Sequence, residues 1–428
     1  MLARGSDPPE PPGGLRPGSC VTGPGPCWPG LAAGAAGTIG WSWLDENMPD
    51  YDAFLLVSFG GPEGPADVMP FLENVTRGRG VPRDRLAAVA RHYDLFGGVS
   101  PINQQCRDLL TAIGKDFAGA GLDLPRYWGN RNWHPFLADT VAQMAADGVR
   151  HAIAFVTSAY GSYSSCRQYL DDIDAARAQA GPSAPRIDKI RHFFNHPGFI
   201  GPVAEAARAA IGQLPAGVAD DAWLVFTAHS VPEAMAAASG PAGGLYPAQL
   251  AEVARLVASE LARAEGHERH WRLAYQSRSG PPSVPWLGPD IGDQLTELAA
   301  RGAPAAVIIP AGFVSDHIEI LFDLDTEAAQ LARRLGLPMA RAATPGTHPR
   351  FVSMIMELVA EHRHLRQRAL ISARTIAAGW PPAALLRGPG RTSDPAGSRR
   401  AARPGVGRGP GCGGHAGGRA AHRARRPA

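Results

Sequence analysis

The chain has two lysines, Lys115 and Lys189, among its 42 Lys and Arg residues, and charged residues of both signs make up only 19% of it. With a formal net charge of +3, the balance gives no reason to expect a nucleic-acid partner. What basic excess there is sits at one end. Thirteen Arg follow His364 against a single acid, Asp394, in a stretch otherwise filled by Gly, Pro and Ala. A basic repertoire written in Arg alone is what GC-rich coding produces, so it carries no functional signal. Five cysteines, Cys20, Cys27, Cys106, Cys166 and Cys412, are too few and too scattered for a disulfide framework. That points to a reducing compartment. No apolar run reaches the length of about 18 residues that a membrane-spanning helix needs. The first 30 residues lack a basic start followed by an apolar core, so no secretory leader is read. The expected location is the cytoplasm.

What the chain does have is apolar content. At 45% hydrophobic over 428 residues, it can bury the cores of two domains. Three regimes follow one another. Residues 1–47 are dense in Gly and Pro without apolar periodicity and are expected to be disordered. Met48 opens MPDYDAFLLVSFGGPEG and is the expected natural start. After about residue 363 the hydrophobic pattern stops, and 364–428 is expected to be a disordered Arg/Gly/Pro-rich tail.

Between these ends, YDAFLLVSF, PRYWGN, HAIAFVTS, AWLVFTA, WRLAYQS and AAVIIPAGF read as strands. PAQLAEVARLVASELARA, ADTVAQMAADG and GDQLTELAARG read as amphipathic helices, the last two ending in the Gly expected just past a helix. Strands alternating with helices imply parallel sheets, whose ligands bind beyond the carboxyl ends of the strands. Three places satisfy that rule: SFGGPEG, TAHSVPE and FVSDHIE.

In the first, Gly60, Gly61 and Gly64 match neither nucleotide-loop pattern and suit a tight strand-to-helix turn. The second holds His229 at a strand end, where an imidazole can ligate a borderline metal or accept a proton, or simply complete the core. In the third, Ser315 or Asp316 can cap a helix beginning near His317. Glu319, Asp323 and Glu327 then fall at i, i+4 and i+8 on one face. Like charges so spaced oppose the helix by about 0.2–0.5 kcal/mol per pair. Either the helix dipole offsets this, or the stripe serves as a path of loosely holding oxygen ligands for a divalent cation.

AHSVPE, QS-x-x-G-x-x-x-x-P-WLGPD and GFVSDHIEILFDLD, in this order, resemble the signature segments of ferrochelatases, and the resemblance spans about residues 50–362. It implies an α/β fold of two similar Rossmann-like half-domains, each a four-stranded parallel sheet flanked by helices, with the active-site cleft between them. The halves are expected at 48–158, completed by a helix over 348–363, and at 159–347. The activity implied is insertion of Fe(II), a substrate rather than a resident cofactor, into a porphyrin during haem biosynthesis. The flavour of SAYGSYSSCRQYLDDI and FLENVTRGRGVP is similar to the bacterial branch acting on coproporphyrin III, ahead of protoporphyrin IX.

By the same resemblance, His229 is the metal-binding and proton-accepting residue and Glu319 its carboxylate partner. His317, Asp323 and Glu327 line a metal route, and Ser100 and Tyr169 contact porphyrin carboxylates. Two positions depart from the pattern. Phe59 stands where one branch has an iron-ligating Tyr, and Thr76 where it has an Arg, leaving Arg77 and Arg79 as nearby cations. Some relatives hold an iron–sulfur cluster with one mid-chain and three C-terminal cysteines. Here Cys166 matches the first, but only Cys412 follows, so no cluster is expected. Cys106 reads as a small buried residue. The expected partners are porphyrin and ferrous iron, to a monomer. The alternatives are a chelatase for another divalent metal and a non-catalytic haem or porphyrin carrier.

Overall fold

The central strands of both sheets are mostly apolar and buried because helices cover both faces of each sheet. The structure is a computed structural model and describes residues 51–163, 167–279 and 283–371, the last stretch by backbone alone beyond residue 363. The N-terminal extension with Met48, most of the Arg-rich tail, Cys166 and Cys412 lie outside the described residues.

The elements run β1 (Ala53–Ser58), α1 (Pro65–Val75), α2 (Arg83–Asp94), α3 (Ile102–Gly119), β2 (Arg126–Asn130), α4 (Leu137–Ala146), β3 (His151–Val156), α5 (Gln168–Ala180), β4 (Arg186–Lys189) and α6 (Pro197–Ile211). They continue with β5 (Trp223–His229), α7 (Glu233–Ala237), α8 (Leu245–Glu265), β6 (Trp271–Gln276), α9 (Ile291–Ala300), β7 (Ala306–Ile309) and α10 (Ile318–Ile320). A π-helical segment (Leu321–Ala328), α11 (Ala329–Leu335), β8 (Met339–Arg341) and α12 (Pro349–Ile371) complete the chain. Two four-stranded sheets result, in the orders β2-β1-β3-β4 and β6-β5-β7-β8. Every pairing is parallel. The fold class expected from the sequence is the one observed.

In β1, Phe54 and Leu56 face a core shared with α3, α6, α8 and α12, while Ala53, Leu55 and Val57 pack on α4 and α5. In β5, Leu224 and Phe226 join the shared core, and Val225 packs toward α9 and the π segment. Each fully buried large apolar side chain contributes about 1.5–3 kcal/mol, so the two sheets are welded through one continuous interior. No helix among the described residues is long and apolar enough to cross a membrane.

Two expectations need correction. The first sheet does not end at residue 158, because β4 at Arg186–Lys189 pairs with β3. Its sequence RIDK is partly exposed throughout, an edge strand without the apolar run that would announce it. β8, three residues long at the edge of the other sheet, is silent for the same reason.

The second correction concerns the helix at FVSDHIE. Neither Ser315 nor Asp316 caps it. His317 is the residue before the first turn, with φ −148° and ψ 177° and no side-chain capping bond. The Asp316 carboxylate is engaged elsewhere, by Arg341 at 3.2 Å and Thr344 at 3.2 Å.

Candidate active site

The loops at the carboxyl ends of β1 and β5 are brought close to their surroundings by glycines. Gly60 has φ +82°. A Cβ on Gly61 would stand 2.7 Å from Ser100 Cβ, and buried Asn103 clasps the same peptide, accepting from Gly61 N at 3.2 Å and donating to Gly61 O at 3.1 Å. This is the tight turn read from the sequence, not a phosphate cradle. On the other half, a Cβ on Gly312 would lie 2.5 Å from Ala228 Cβ, and Gly312 N donates to Thr227 O at 2.9 Å. That close approach draws the chain leaving β7 against the end of β5, and with it Glu319 toward His229.

His229 is the last residue of β5, and its carbonyl accepts from the buried Tyr246 hydroxyl at 2.9 Å. Its Nδ1 lies 2.5 Å from Ser230 O, an acceptor, so in the neutral ring Nδ1 carries the proton and Nε2 is left bare. Nε2 faces Glu319 Oε2 at 3.6 Å, wider than a hydrogen bond. Metal bonds of about 2.0–2.2 Å on each side can bridge that gap. Among the described residues no group of three or more His, Cys, Asp or Glu side chains is arranged to hold a metal ion. His317 sits beside the pair, its ring 5.1 Å from Phe313. Burial, reinforced by His229 and opposed by Glu319 and Asp316, holds its pKa below the ordinary histidine value.

The acidic stripe starts at Glu319 on α10 and continues along the π-helical segment. A π-helix closes i→i+5 and is wider than an α-helix. Thr326 Oγ1 follows the wider register, donating to Leu321 O at 3.1 Å. Glu319 and Glu327 are exposed and Asp323 is half-buried between them. Burial, with Glu319 and Glu327 adding to it, pushes the Asp323 carboxyl up to about 7, against a hydrogen bond from Ser277 that favours the charged form. Ser277 Oγ donates to Asp323 Oδ2 at 2.5 Å, and Gln276 Nε2 lies 3.4 Å from the same oxygen. Ser277 is held at φ +60°, a left-handed conformation uncommon outside Gly and Asn. Both residues follow the apolar run of β6, so the strand-end rule that found His229 would also have found them.

The adjoining cleft is lined by Phe59, Phe71, Leu72, Val75, Val89, His92, Tyr93, Ile318, Glu319, Phe322 and Asp323 and has an empty volume of about 440 Å³, open to solvent. Its walls come from both halves. Phe59 stands in it as an apolar ring, and Arg77 and Arg79 are exposed on the turn after α1. Ser100 and Tyr169 are placed differently from expectation. Both are 4% exposed and neither lines the cleft. Ser100 is packed on Gly61. The Tyr169 ring lies under the Arg131 guanidinium at 4.7 Å, and Arg131 pairs with Asp172 at 2.5 Å. Sequence position could not reveal this inward turn, because a buried cation just past the end of β2 supplies the partner. Cys106 is buried on α3 and donates to Ser58 Oγ at 3.2 Å, and burial pushes its thiol up to about 11.

Residues 51–363 match the ferrochelatase family model. The chain belongs to the ferrochelatase family. Similar relatives include proteins named coproporphyrin III ferrochelatase from Nocardia farcinica, 58% identical over 314 residues, and from Streptomyces coelicolor, 55% identical over 328 residues. Each match covers 73% of this chain and 88% of the relative. A protein named ferrochelatase from Rhodopirellula baltica is 54% identical over 320 residues, covering 74% of this chain and 87% of the relative. In this ferrochelatase-family chain, the motifs HSVPE and GFVSDHIE are therefore the segments that set His229 against Glu319.

Proposed function

We propose that this chain inserts Fe(II) into a porphyrin as a step of haem biosynthesis, taking coproporphyrin III ahead of protoporphyrin IX. The observation that carries the reading is the bare His229 Nε2 facing the Glu319 carboxylate at 3.6 Å, at the strand end where parallel sheets place their chemistry. Metallation replaces two pyrrole N–H bonds by bonds to iron. The N–H electron pairs stay on nitrogen, two protons leave, and iron keeps its oxidation state. His229 Nε2 has one lone pair, so it takes those protons one at a time, each passing on to solvent before the next arrives, as a neutral imidazole accepts near neutral pH. Glu319 holds the approaching ion, sharing it with His229 Nε2 only until the first pyrrole proton is taken there, and two protein ligands leave coordination positions for pyrrole nitrogens. Asp323 and Glu327 continue outward from Glu319 as a route of oxygen ligands that hold a divalent ion loosely enough to pass it on.

Preference for coproporphyrin III is supported by the names of the most similar relatives, with Arg77 and Arg79 exposed beside the cleft as partners for its additional carboxylates. Ser100 and Tyr169 are buried beside this cleft, Ser100 against Gly61 and Tyr169 under Arg131. The test is anaerobic Fe(II) insertion into coproporphyrin III and protoporphyrin IX side by side, followed by absorbance. Faster turnover of coproporphyrin III supports the reading, and no insertion into either overturns it. Competition by Co(II) and Zn(II) at defined free-ion concentrations separates an iron enzyme from a chelatase for another metal.

A further inference from the structure

We propose that the macrocycle is admitted by parting His92 from Phe322 and is then held with one of its pyrrole rings between them. The inference rests on the porphyrin reading above and adds how the flat substrate enters. His92 belongs to α2, on the wall built by the first half, and Phe322 to the π-helical segment on the opposite wall. Their rings are parallel within 9°, with centroids 3.7 Å apart, so the pair bridges the cleft with no space between its faces. Neighbouring pairs in the same cleft cross steeply instead: Phe59 with Phe71 at 70°, and Phe71 with Tyr93 at 61°.

Small aromatic rings left to themselves prefer offset or edge-on contact to a flush sandwich. A parallel pair reaching across a cleft is the arrangement that a third flat ring fits. Moving the walls apart by one ring thickness gives a slot in which each side chain exchanges its partner for a face of the macrocycle. One ring contact is lost and two of the same kind are formed, so substrate binding offsets the opening. Space requires the movement. The cleft holds about 440 Å³ even with open solvent counted, toward the low end of pockets that enclose ligands much smaller than a tetrapyrrole. His92 suits the role as an uncharged ring. Burial lowers its pKa, with Arg91 acting in the same direction and Glu327 opposing. Glu319 and Asp323 line the same cleft, so a plate passing between the two rings is directed toward the reactive pair.

The test is stopped-flow quenching of coproporphyrin III fluorescence by the full chain without metal. His92→Ala and Phe322→Ala are each expected to speed association about three- to tenfold, and to speed dissociation at least as much, the range that one ring–ring contact corresponds to. The double variant should associate no faster than either single one, since the stack is already gone. His92→Phe keeps a flat ring and should return both rates toward the wild type. His92→Gln and Phe322→Leu, which keep volume without the stack, should behave like the alanine variants and serve wherever alanine prevents folding. Unchanged association in the variants lacking a ring, strictly additive effects, or a His92→Phe protein indistinguishable from His92→Ala would overturn the slot. A wild-type chain that leaves the fluorescence unquenched would instead overturn the porphyrin reading, and the slot with it.

Discussion

The carboxyl ends of β1 and β5 occupy equivalent places in two sheets of the same strand order, and they hold opposite kinds of chemistry. At the end of β1 lie Ser58 and Phe59, with Cys106, Tyr169 and the Arg131–Asp172 pair packed around them, all satisfied internally. At the end of β5, His229 presents an unprotonated nitrogen to a partly exposed carboxylate. One half is a finished wall and the other is left with unsaturated groups facing solvent. Topology therefore does not assign the chemistry. The few residues following each central strand do, which is why one architecture can be used twice in one chain for different ends.

The sharpest way to break the comparison is to remove the reactive group. His229→Ala is expected to lower metal insertion by about a hundredfold or more, while porphyrin fluorescence is still quenched. Insertion at more than about a tenth of the wild-type rate would show that the base lies elsewhere. Glu319→Gln, which keeps shape but removes the charge beside Nε2, should cost about tenfold or more in the same assay.

The finished half should fail by unfolding rather than by chemistry. Arg131→Leu strands the Asp172 carboxylate, whose side chain is still one-third exposed. The loss should be about 2–3 kcal/mol, below the 3–5 kcal/mol of a fully buried pair, read as a lower urea midpoint. Adding Asp172→Leu should restore part of it. If insertion per folded molecule falls as far as in His229→Ala, the two ends are not as different as they look.

Smaller effects belong to the acidic stripe. The Asp323 carboxyl is raised to about 7, so its ionised, iron-holding form grows as pH rises through that value. Insertion at limiting iron should increase across this window, and Asp323→Asn should flatten the increase and demand more iron. Stability runs the other way. Because the folded-state value lies above the ordinary carboxyl value, this group's contribution is full in acid and is lost as pH rises from about 4 to about 7. Denaturation midpoints of Asp323→Asn should lack that slope. Glu327→Gln, on the exposed end of the stripe, should give the least change, visible only at limiting iron. Identical iron dependence in both variants and the wild type would reduce the stripe to a charged helix face.

Six of the eight strands are legible: β1, β3, β5 and β7 because central parallel strands bury both faces, and the edge strands β2 and β6 because they keep aromatic residues, Tyr127 and Trp128 in one and Trp271 and Tyr275 in the other. The other two edge strands, β4 and β8, are not, since they are four and three residues long and an edge can hold by backbone pairing with little apolar surface. His229 and Glu319 could be singled out by strand-end position and family motif, each on its own segment. Their meeting at 3.6 Å depends on Gly312, in the loop after β7, pressing against Ala228 in β5, a contact that no local pattern encodes. The π-helical segment that carries Asp323 and Glu327 was likewise invisible, because α and π helices share side-chain preferences and differ only in which carbonyl each amide finds. The inward turn of Ser100 and Tyr169 was decided by Gly61 and by the Arg131–Asp172 pair. Sequence by itself determined which residues could do the chemistry and where the sheets run. Only tertiary packing decided which of them face one another, since that depends on partners distant in the chain, as His229 is from Glu319 and Ala228 from Gly312.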